Sequence, residues 1–387
     1  MTIFDDIERT LEGGTQYGWA DFEYLNLSNR PEAARVREFL CNCLEHYPVE
    51  HRNELIKRMR ASDIQFASAT FELILHEMFV RLGWSVTVHP EILDGNGRLP
   101  DFLVCSTDGE SFYVEAALAR QYSQQELAAE KRKNQILKVI DNFPSPNFLL
   151  QIDPDGSPRS NVPGKKLRHA LRTWLNKLDV NSVEAEYLAG KALPQMIFEH
   201  DGWHITFGAI PRRADRRDGG RRTIGILGFG VRSIDIRDSI KSVAKFKNGR
   251  YGELDFPLVV AINIEQHAVD VSQERDALFG QLQLWIARNE GVGAVQEYAR
   301  LPDGVWNGPD GPQCTRLSGV WLFRSLDAWH FAARGSNMLY ENPRPAHKLP
   351  SASRIFTHAV VEDGKLVERP GVSLNELFGL TKEWPEE

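Results

Sequence analysis

The stretch RLPDFLVCSTDGESFYVEAAL, from Arg98 to Leu118, constrains this chain more than any other. Two apolar runs rich in aromatic and β-branched residues flank Thr107-Asp108-Gly109, a tight-turn sequence, and predict a hairpin with strands over 99–106 and 111–119. Each arm carries one carboxylate, Asp101 and Glu115. Side chains alternate faces along a strand, and the midpoint between the two acids is Asp108, inside the turn. With one residue of freedom in register, the carboxylates face each other or lie on a diagonal, roughly 5–8 Å apart between Cβ atoms. Two carboxylates that close repel unless a cation or a proton lies between them. Glu115 is the more demanding of the two, because FYVEAAL is apolar on both faces and a buried carboxylate without a partner is costly there. A hard divalent ion such as Mg²⁺ suits the pair, since it takes few protein carboxylates and keeps waters and phosphate oxygens as its other ligands. An ion held in that way activates water and stabilises a leaving alkoxide in phosphodiester cleavage. The competing expectation is an ordinary hairpin whose acids are solvated.

Helical patterns precede the hairpin at 31–46, 49–60 and 63–82. Ser62 or Asp63 offers the N-cap of the third helix, and Gly83 its stop. A strand follows around Val86 and Val88, with Pro90 at its exit. After the hairpin, Ser123 and Glu126 have capping-box spacing and open a helix to about Asn142. The run NFLLQID then suits a buried strand. The order is helix, three strands, helix, strand.

This order, with Pro100-Asp101 on the second strand and Glu115 on the third, resembles the PD-(D/E)XK nuclease superfamily. The fold this implies is α/β (α+β): a restriction-endonuclease-like αβββαβ core with a mixed sheet flanked by helices, here over 61–155. A helical segment, 1–60, precedes it. An α/β region, 156–387, follows, with an element order that echoes the core and suggests a second nuclease-like unit. The resemblance implies a metal-dependent hydrolase acting on DNA, with restriction or phage defence as its setting. It makes Asp101 and Glu115 the Mg²⁺ ligands, and Glu72 in TFELILHE matches the glutamate often found on the family's first helix. Where the family has lysine, two residues after Glu115, this chain has Ala117. Some members carry the basic residue on the next helix, where Lys131, Arg132 and Lys133 are available. Lys133 is nearest the sheet-facing side and is the expected substitute. If no amine reaches the site, the same fold is a decayed module that binds nucleic acid or a protein partner without cutting.

The most basic segment is RRADRRDGGRR, in which Arg212, Arg213, Arg216, Arg217, Arg221 and Arg222 outnumber Asp215 and Asp218. Read as a loop, it is either a phosphate clamp for nucleic acid or a solvated hairpin tip. Lys241, Lys245 and Lys247, ahead of Tyr251 on a helix, read as a solvated basic face, with the lining of a phosphate-binding groove as the alternative; His76 reads as surface or packing, and His89 as a structural hydrogen-bonding residue. A net charge of -7 argues against coating nucleic acid through global charge, though not against a local patch. Four scattered cysteines suit neither a disulfide framework nor a four-ligand zinc site. No apolar run of about 18 residues and no basic-then-apolar leader is present, so a cytosolic protein that does not span a membrane is expected.

Overall fold

The computed structural model of the 387-residue chain describes residues 2–14, 19–92, 97–119, 124–217, 223–227, 235–265, 270–289 and 293–386. It is a mixed α/β structure with two compact units. The first comprises Met1–Gly13, Asp21–Gln121 and Asp235–Glu387; the second comprises Gly14–Ala20 and Tyr122–Ile234. The first unit opens with helices α1 (Asp21–Leu27), α2 (Pro31–His46), α3 (Val49–Ala61) and α4 (Asp63–Arg81), then strands β1 (Ser85–Val88), β2 (Phe102–Cys105) and β3 (Ser111–Ala119). The second unit holds α5 (Gln124–Asp141), β4 (Phe148–Asp155), α6 (Gly164–Leu175), α7 (Val180–Leu188), β5 (Gln195–His200), β6 (Trp203–Pro211) and β7 (Ile224–Leu227). The chain then returns to the first unit through α8 (Arg237–Asn248), β8 (Leu258–Ile264), α9 (Val271–Phe279), β9 (Leu282–Asn289) and β10 (Gly293–Arg300). It ends with β11 (Asn307–Gly308), β12 (Gly311–Pro312), β13 (Leu317–Arg324), α10 (Phe331–Arg334), β14 (Asn337–Glu341), β15 (His358–Glu362), β16 (Lys365–Arg369) and α11 (Leu374–Phe378).

Local chemistry accounts for the elements that frame the hairpin. Ser62 caps α4 by accepting from the Gln65 N–H at 3.3 Å. Gly83, at φ +73°, lets the chain leave that helix in a conformation other residues resist. The β2–β3 turn is closed by the Gly109 N–H donating to the Ser106 carbonyl at 2.9 Å, with Gly109 at φ +81°. The ladder pairs Phe102 with Val114 and Cys105 with Ser111, which puts Asp101 opposite Glu115 one step beyond it.

The first unit's sheet has eight strands in the order β1-β2-β3-β8-β13-β14-β15-β16. The β1–β2–β3 meander is antiparallel, and β3, β8 and β13 run parallel to one another. Phe71, Phe79, Val114, Trp321 and Phe323 form the core on one face with α2 to α4; Tyr113, Ile240, Val260 and Ile262 form the core on the other with α8 and α9. The second unit has its own four-stranded sheet, β5-β6-β4-β7, and its own core, in which Leu167, Leu171 and Leu175 line one face of α6.

These connections revise the expected boundaries at 60 and 155. The run 147–153 forms β4, which pairs with β6 and β7 in the second unit. The strand parallel to β3 is instead β8, and the helix before it is α8, so the second unit is inserted between β3 and its crossover. The strand patterns explain the exchange. Every residue of β8 is buried, as a parallel strand covered on both faces requires, whereas β4 alternates buried and partly exposed positions. Among the described residues no helix is long and apolar enough to cross a membrane.

Because the cores are composed of separate residues, the first unit is expected to fold without the inserted one. Replacing Tyr122–Ile234 by a Gly/Ser linker of about 20 residues, whose coil dimension is about 25 Å, should leave a single cooperative urea transition by circular dichroism. A non-cooperative transition would show that the insertion is part of the first unit's fold.

Candidate functional site

Strand alternation sends Phe112 and Val114 of β3 to the α4 side and Tyr113 to the α8 side. Glu115 shares the face of Tyr113, and α8 brings it partners. The Lys247 ammonium donates to Glu115 Oε1, and the Tyr251 hydroxyl donates to Oε2. Glu115 is only 2 % exposed, so these two donors replace the water it has lost. Asp101, half-buried just before β2, accepts from the Ala116 N–H through Oδ2 at 2.7 Å. Its own carbonyl accepts from the His89 N–H at 2.9 Å, where His89 holds the left-handed conformation at φ +49°. The bond to Ala116 lies across the mouth of the ladder and fixes Asp101 next to Glu115.

The third acid, Glu72, is buried on α4 and accepts from the Tyr47 hydroxyl and from an Arg58 amine, each at 2.7 Å. Desolvation first, then the negative charges of Glu115 and of Glu72, push the Asp101 pKa well above the ordinary carboxylate range. The Ala116 N–H and Lys247 oppose that shift without cancelling it. Asp101 thus experiences both glutamates, and the acids of the hairpin and of α4 form one electrostatic cluster.

An open cavity of about 350 Å³ adjoins the cluster, lined by Gln65 and Ser68 of α4, Ala117 and Leu118 of β3, and Phe246 and Lys247 of α8. Ala117 occupies the position where the resemblance leads one to expect lysine. Its small side chain shares the cavity wall with an amine supplied from 130 residues further along the chain.

The other expected residues are distributed differently. Lys133 lies on α5, in the second unit, and the amine on Glu115 belongs to Lys247. Lys247 therefore does not belong to a solvated face. Lys241 pairs with Asp303 at 3.2 Å, and only Lys245 of the three is exposed. Two members of the arginine segment are engaged within the second unit. Arg212 is buried and donates to the Ser145 carbonyl at 3.2 Å, while Arg217 donates to the Arg212 carbonyl and to Asn181, and pairs with Glu184. Arg213 and Arg216 are exposed, and Arg221 and Arg222 lie outside the described residues. His76 is a packing residue, its ring centroid 4.8 Å from that of Tyr47; burial, and then the charge of His46, lower its pKa to about 4.

Sequence reasoning missed Tyr47, Arg58 and Tyr251 and misread Lys247. A signal for the last was available: Ile240, Ala244 and Lys247 recur at four- and three-residue steps, which places the lysine on the apolar stripe of α8. Among the described residues, no group of three or more His, Cys, Asp or Glu side chains is arranged to hold a metal ion. Compared with models of protein families, with curated proteins and with solved structures, the chain matches none.

The raised Asp101 pKa has a signed consequence. Between the ordinary carboxylate pKa and the raised one, the folded protein binds a proton that the unfolded chain has released, so stability falls as pH rises through that window. Asp101→Asn removes the charge and keeps an acceptor for the Ala116 N–H. It should flatten that decline and stabilise the metal-free protein at pH 8, measured by urea unfolding from pH 4 to 8. An unchanged pH profile would show that Asp101 is not the group responsible.

Proposed function

We propose that the first unit is a metal-dependent nuclease of the PD-(D/E)XK, restriction-endonuclease-like type that hydrolyses phosphodiester bonds in DNA. In this reading Asp101 and Glu115 are the Mg²⁺ ligands, Glu72 assists, and Lys247 takes the part of the lysine missing at Ala117. Restriction or phage defence is the setting the resemblance suggests. The observation that carries the reading is the placement of Asp101, Glu115 and the Lys247 amine around the middle of β3, where its ladder with β2 ends. The order α4, β1, β2, β3, α8, β8, with a parallel β3–β8 pair, supports it further.

The charge balance of the cluster fits a hard cation. With all three ionised, Glu72, Asp101 and Glu115 would carry three negative charges against the two positive charges of Arg58 and Lys247, and the raised pKa of Asp101 is the response to that imbalance. All three acids offer oxygen donors, the preference of Mg²⁺. When bound, such an ion polarises a phosphoryl oxygen and makes its water more acidic. The chain's own groups do the rest. Asp101 is aimed by Ala116, Lys247 holds a positive charge beside Glu115 where a phosphate oxygen or an attacking water can accept from it, and the cavity wall at Ala117 leaves room for substrate.

A second reading has an observation of its own. Tyr251 and Lys247 occupy both Glu115 oxygens, and Tyr47 and Arg58 both Glu72 oxygens, an arrangement that also suits a module that grips nucleic acid without cutting it.

Cleavage of supercoiled plasmid in the presence of Mg²⁺ separates the two. The nuclease reading expects nicking or linearisation that is abolished in Asp101→Ala and Glu115→Ala. Lys247→Met should lower the rate by about 10²-fold or more, the usual scale for a lost proton-handling group, and Lys133→Ala should leave it unchanged. Intact DNA and RNA with retained nucleic-acid binding would favour the module. For the arginine segment, the Arg213→Ala/Arg216→Ala double substitution should reduce the slope of log K against log salt by about 2, as expected for two phosphate contacts. An unchanged slope in fluorescence anisotropy would return that segment to a solvated tip.

A further inference from the structure

A second cavity of the first unit, about 120 Å³, lies at the carboxyl ends of the parallel strands β8 and β13, where Glu265 and the segment Ser325–Asp327 follow them. Crevices outside the carboxyl ends of strands are where open α/β sheets bind ligands. None of the residues assigned to the nuclease site lines this cavity.

Its chemistry is divided between floor and rim. Thr70 of α4, only 2 % exposed, contributes a buried hydroxyl with no hydrogen-bond partner among the described residues, and Ser325 contributes another. An unmade hydrogen bond on a buried group costs about 1–3 kcal/mol, so each hydroxyl calls for an occupant that can bond to it. Phe66 and Trp329 supply the walls. Asp21, Glu265 and Asp327 also line it, the exposed Asp21 and Glu265 at its rim; Asp327 accepts from the Trp329 and His330 N–H groups and lies 3.1 Å from the His330 ring nitrogen Nδ1. Asp21 opens to solvent, yet desolvation by the surrounding protein, followed by the charges of Asp63, Asp327 and Glu265, raises its pKa to about 6. Among the described residues, the charges that act on Asp21 are those of Asp63, Asp327 and Glu265, all of its own sign.

The backbone at the site is also constrained. Ser325 is held at φ +51°, an unfavourable conformation for a residue with a Cβ. It is kept there by its N–H donating to the Ile264 carbonyl at 2.7 Å, and by Asn263, whose side chain donates to the Leu326 carbonyl at 2.7 Å and accepts from the Leu326 N–H at 3.0 Å. Strain that the surroundings impose this firmly is typical of ligand clamps.

We infer that this cavity binds a small organic cation: a protonated amine at the acidic rim, a short apolar body between Phe66 and Trp329, and a second hydrogen-bonding group at Thr70 and Ser325. A cavity of about 120 Å³ suits a ligand of a handful of heavy atoms. A bare metal ion fits less well, because it would leave the apolar walls of Phe66 and Trp329 uncovered.

The test is calorimetric titration of the full chain at pH 8 with 3-aminopropan-1-ol, with propane-1,3-diol as its uncharged counterpart and MgCl₂ as a metal probe. Saturable binding of the amino alcohol is expected, with the diol at least about tenfold weaker, as for loss of a charge-assisted hydrogen bond. Thr70→Val, which keeps the shape of the side chain, should weaken binding about tenfold while leaving the protein folded and no less stable in urea. Asp21→Asn, at the exposed rim, should weaken it without touching the core. Equal binding of amine and diol, displacement of the amine by Mg²⁺, insensitivity to Thr70→Val, or no binding of the amino alcohol each overturns the proposal. None of these outcomes depends on whether DNA is cleaved.

Discussion

Glu115 can lie within the sheet because Lys247 and Tyr251 each donate to one of its oxygens. Without them the carboxylate would be buried among apolar strands with no partner, at a cost of several kcal/mol. The interaction also constrains the fold. Both donors come from the end of α8 and the turn after it, and that helix can deliver them only if β8 pairs in parallel with β3, as it does from Tyr113 against Leu258 to Ala119 against Ile264. One buried charge therefore links the hairpin to a segment more than a hundred residues away. It also requires that whatever is inserted between β3 and α8 leave that pairing intact, which the separate core of the second unit allows.

The same interaction leaves Asp101 as the group carrying the unbalanced charge. Glu72 and Glu115 are satisfied by four donors, two of them cationic, whereas Asp101 has the backbone amide of Ala116 and faces both glutamates. Burying an unbalanced charge is destabilising, so Asp101 costs the fold stability that a neutral residue there would not. A carboxyl group with a raised pKa at the mouth of the hairpin, beside an amine and an open cavity, marks a candidate functional site. The saturated glutamates explain how the fold tolerates the cluster: Tyr47, Arg58, Lys247 and Tyr251 absorb two of its three charges.

The local part of this arrangement was legible in the sequence. A turn centred on Asp108 dictates the register that puts Asp101 opposite Glu115, Ser62 marks the start of α4, and Gly83 marks its end, because each follows from interactions within a few residues. The long-range part was not. The runs NFLLQID and PLVVAINIE both qualify as the strand after a helix, and the nearer one was the natural choice. Only the unbroken burial of Leu258–Ile264, against the alternation of Phe148–Asp155, separates a central parallel strand from an antiparallel one, and that difference rests largely on three polar residues, Gln151, Asp153 and Asp155. The amine followed the strand. With the crossover helix assigned to 124–142, Lys133 was the expected base; with the crossover at α8, the basic residue is Lys247.

Helix α4 connects the two cavities of the first unit. Gln65 and Ser68 face the one that contains Lys247, and Phe66, Ala67 and Thr70 face the one at the ends of β8 and β13. Successive residues on a helix are rotated by about 100°, so one turn can serve two cavities at once only if its phase is fixed. The Ser62 cap fixes where that turn begins, and the buried Phe66 and Ala69 hold it against the core. Because β3, β8 and β13 are parallel, their carboxyl ends lie along the same edge of the sheet, and α4 starts beside that edge. The position of both sites is thus a consequence of strand direction: three parallel strands bring their loops to one side, and the first turns of a single capped helix divide that side into an acidic, amine-bearing cleft and a separate cavity with an acidic rim.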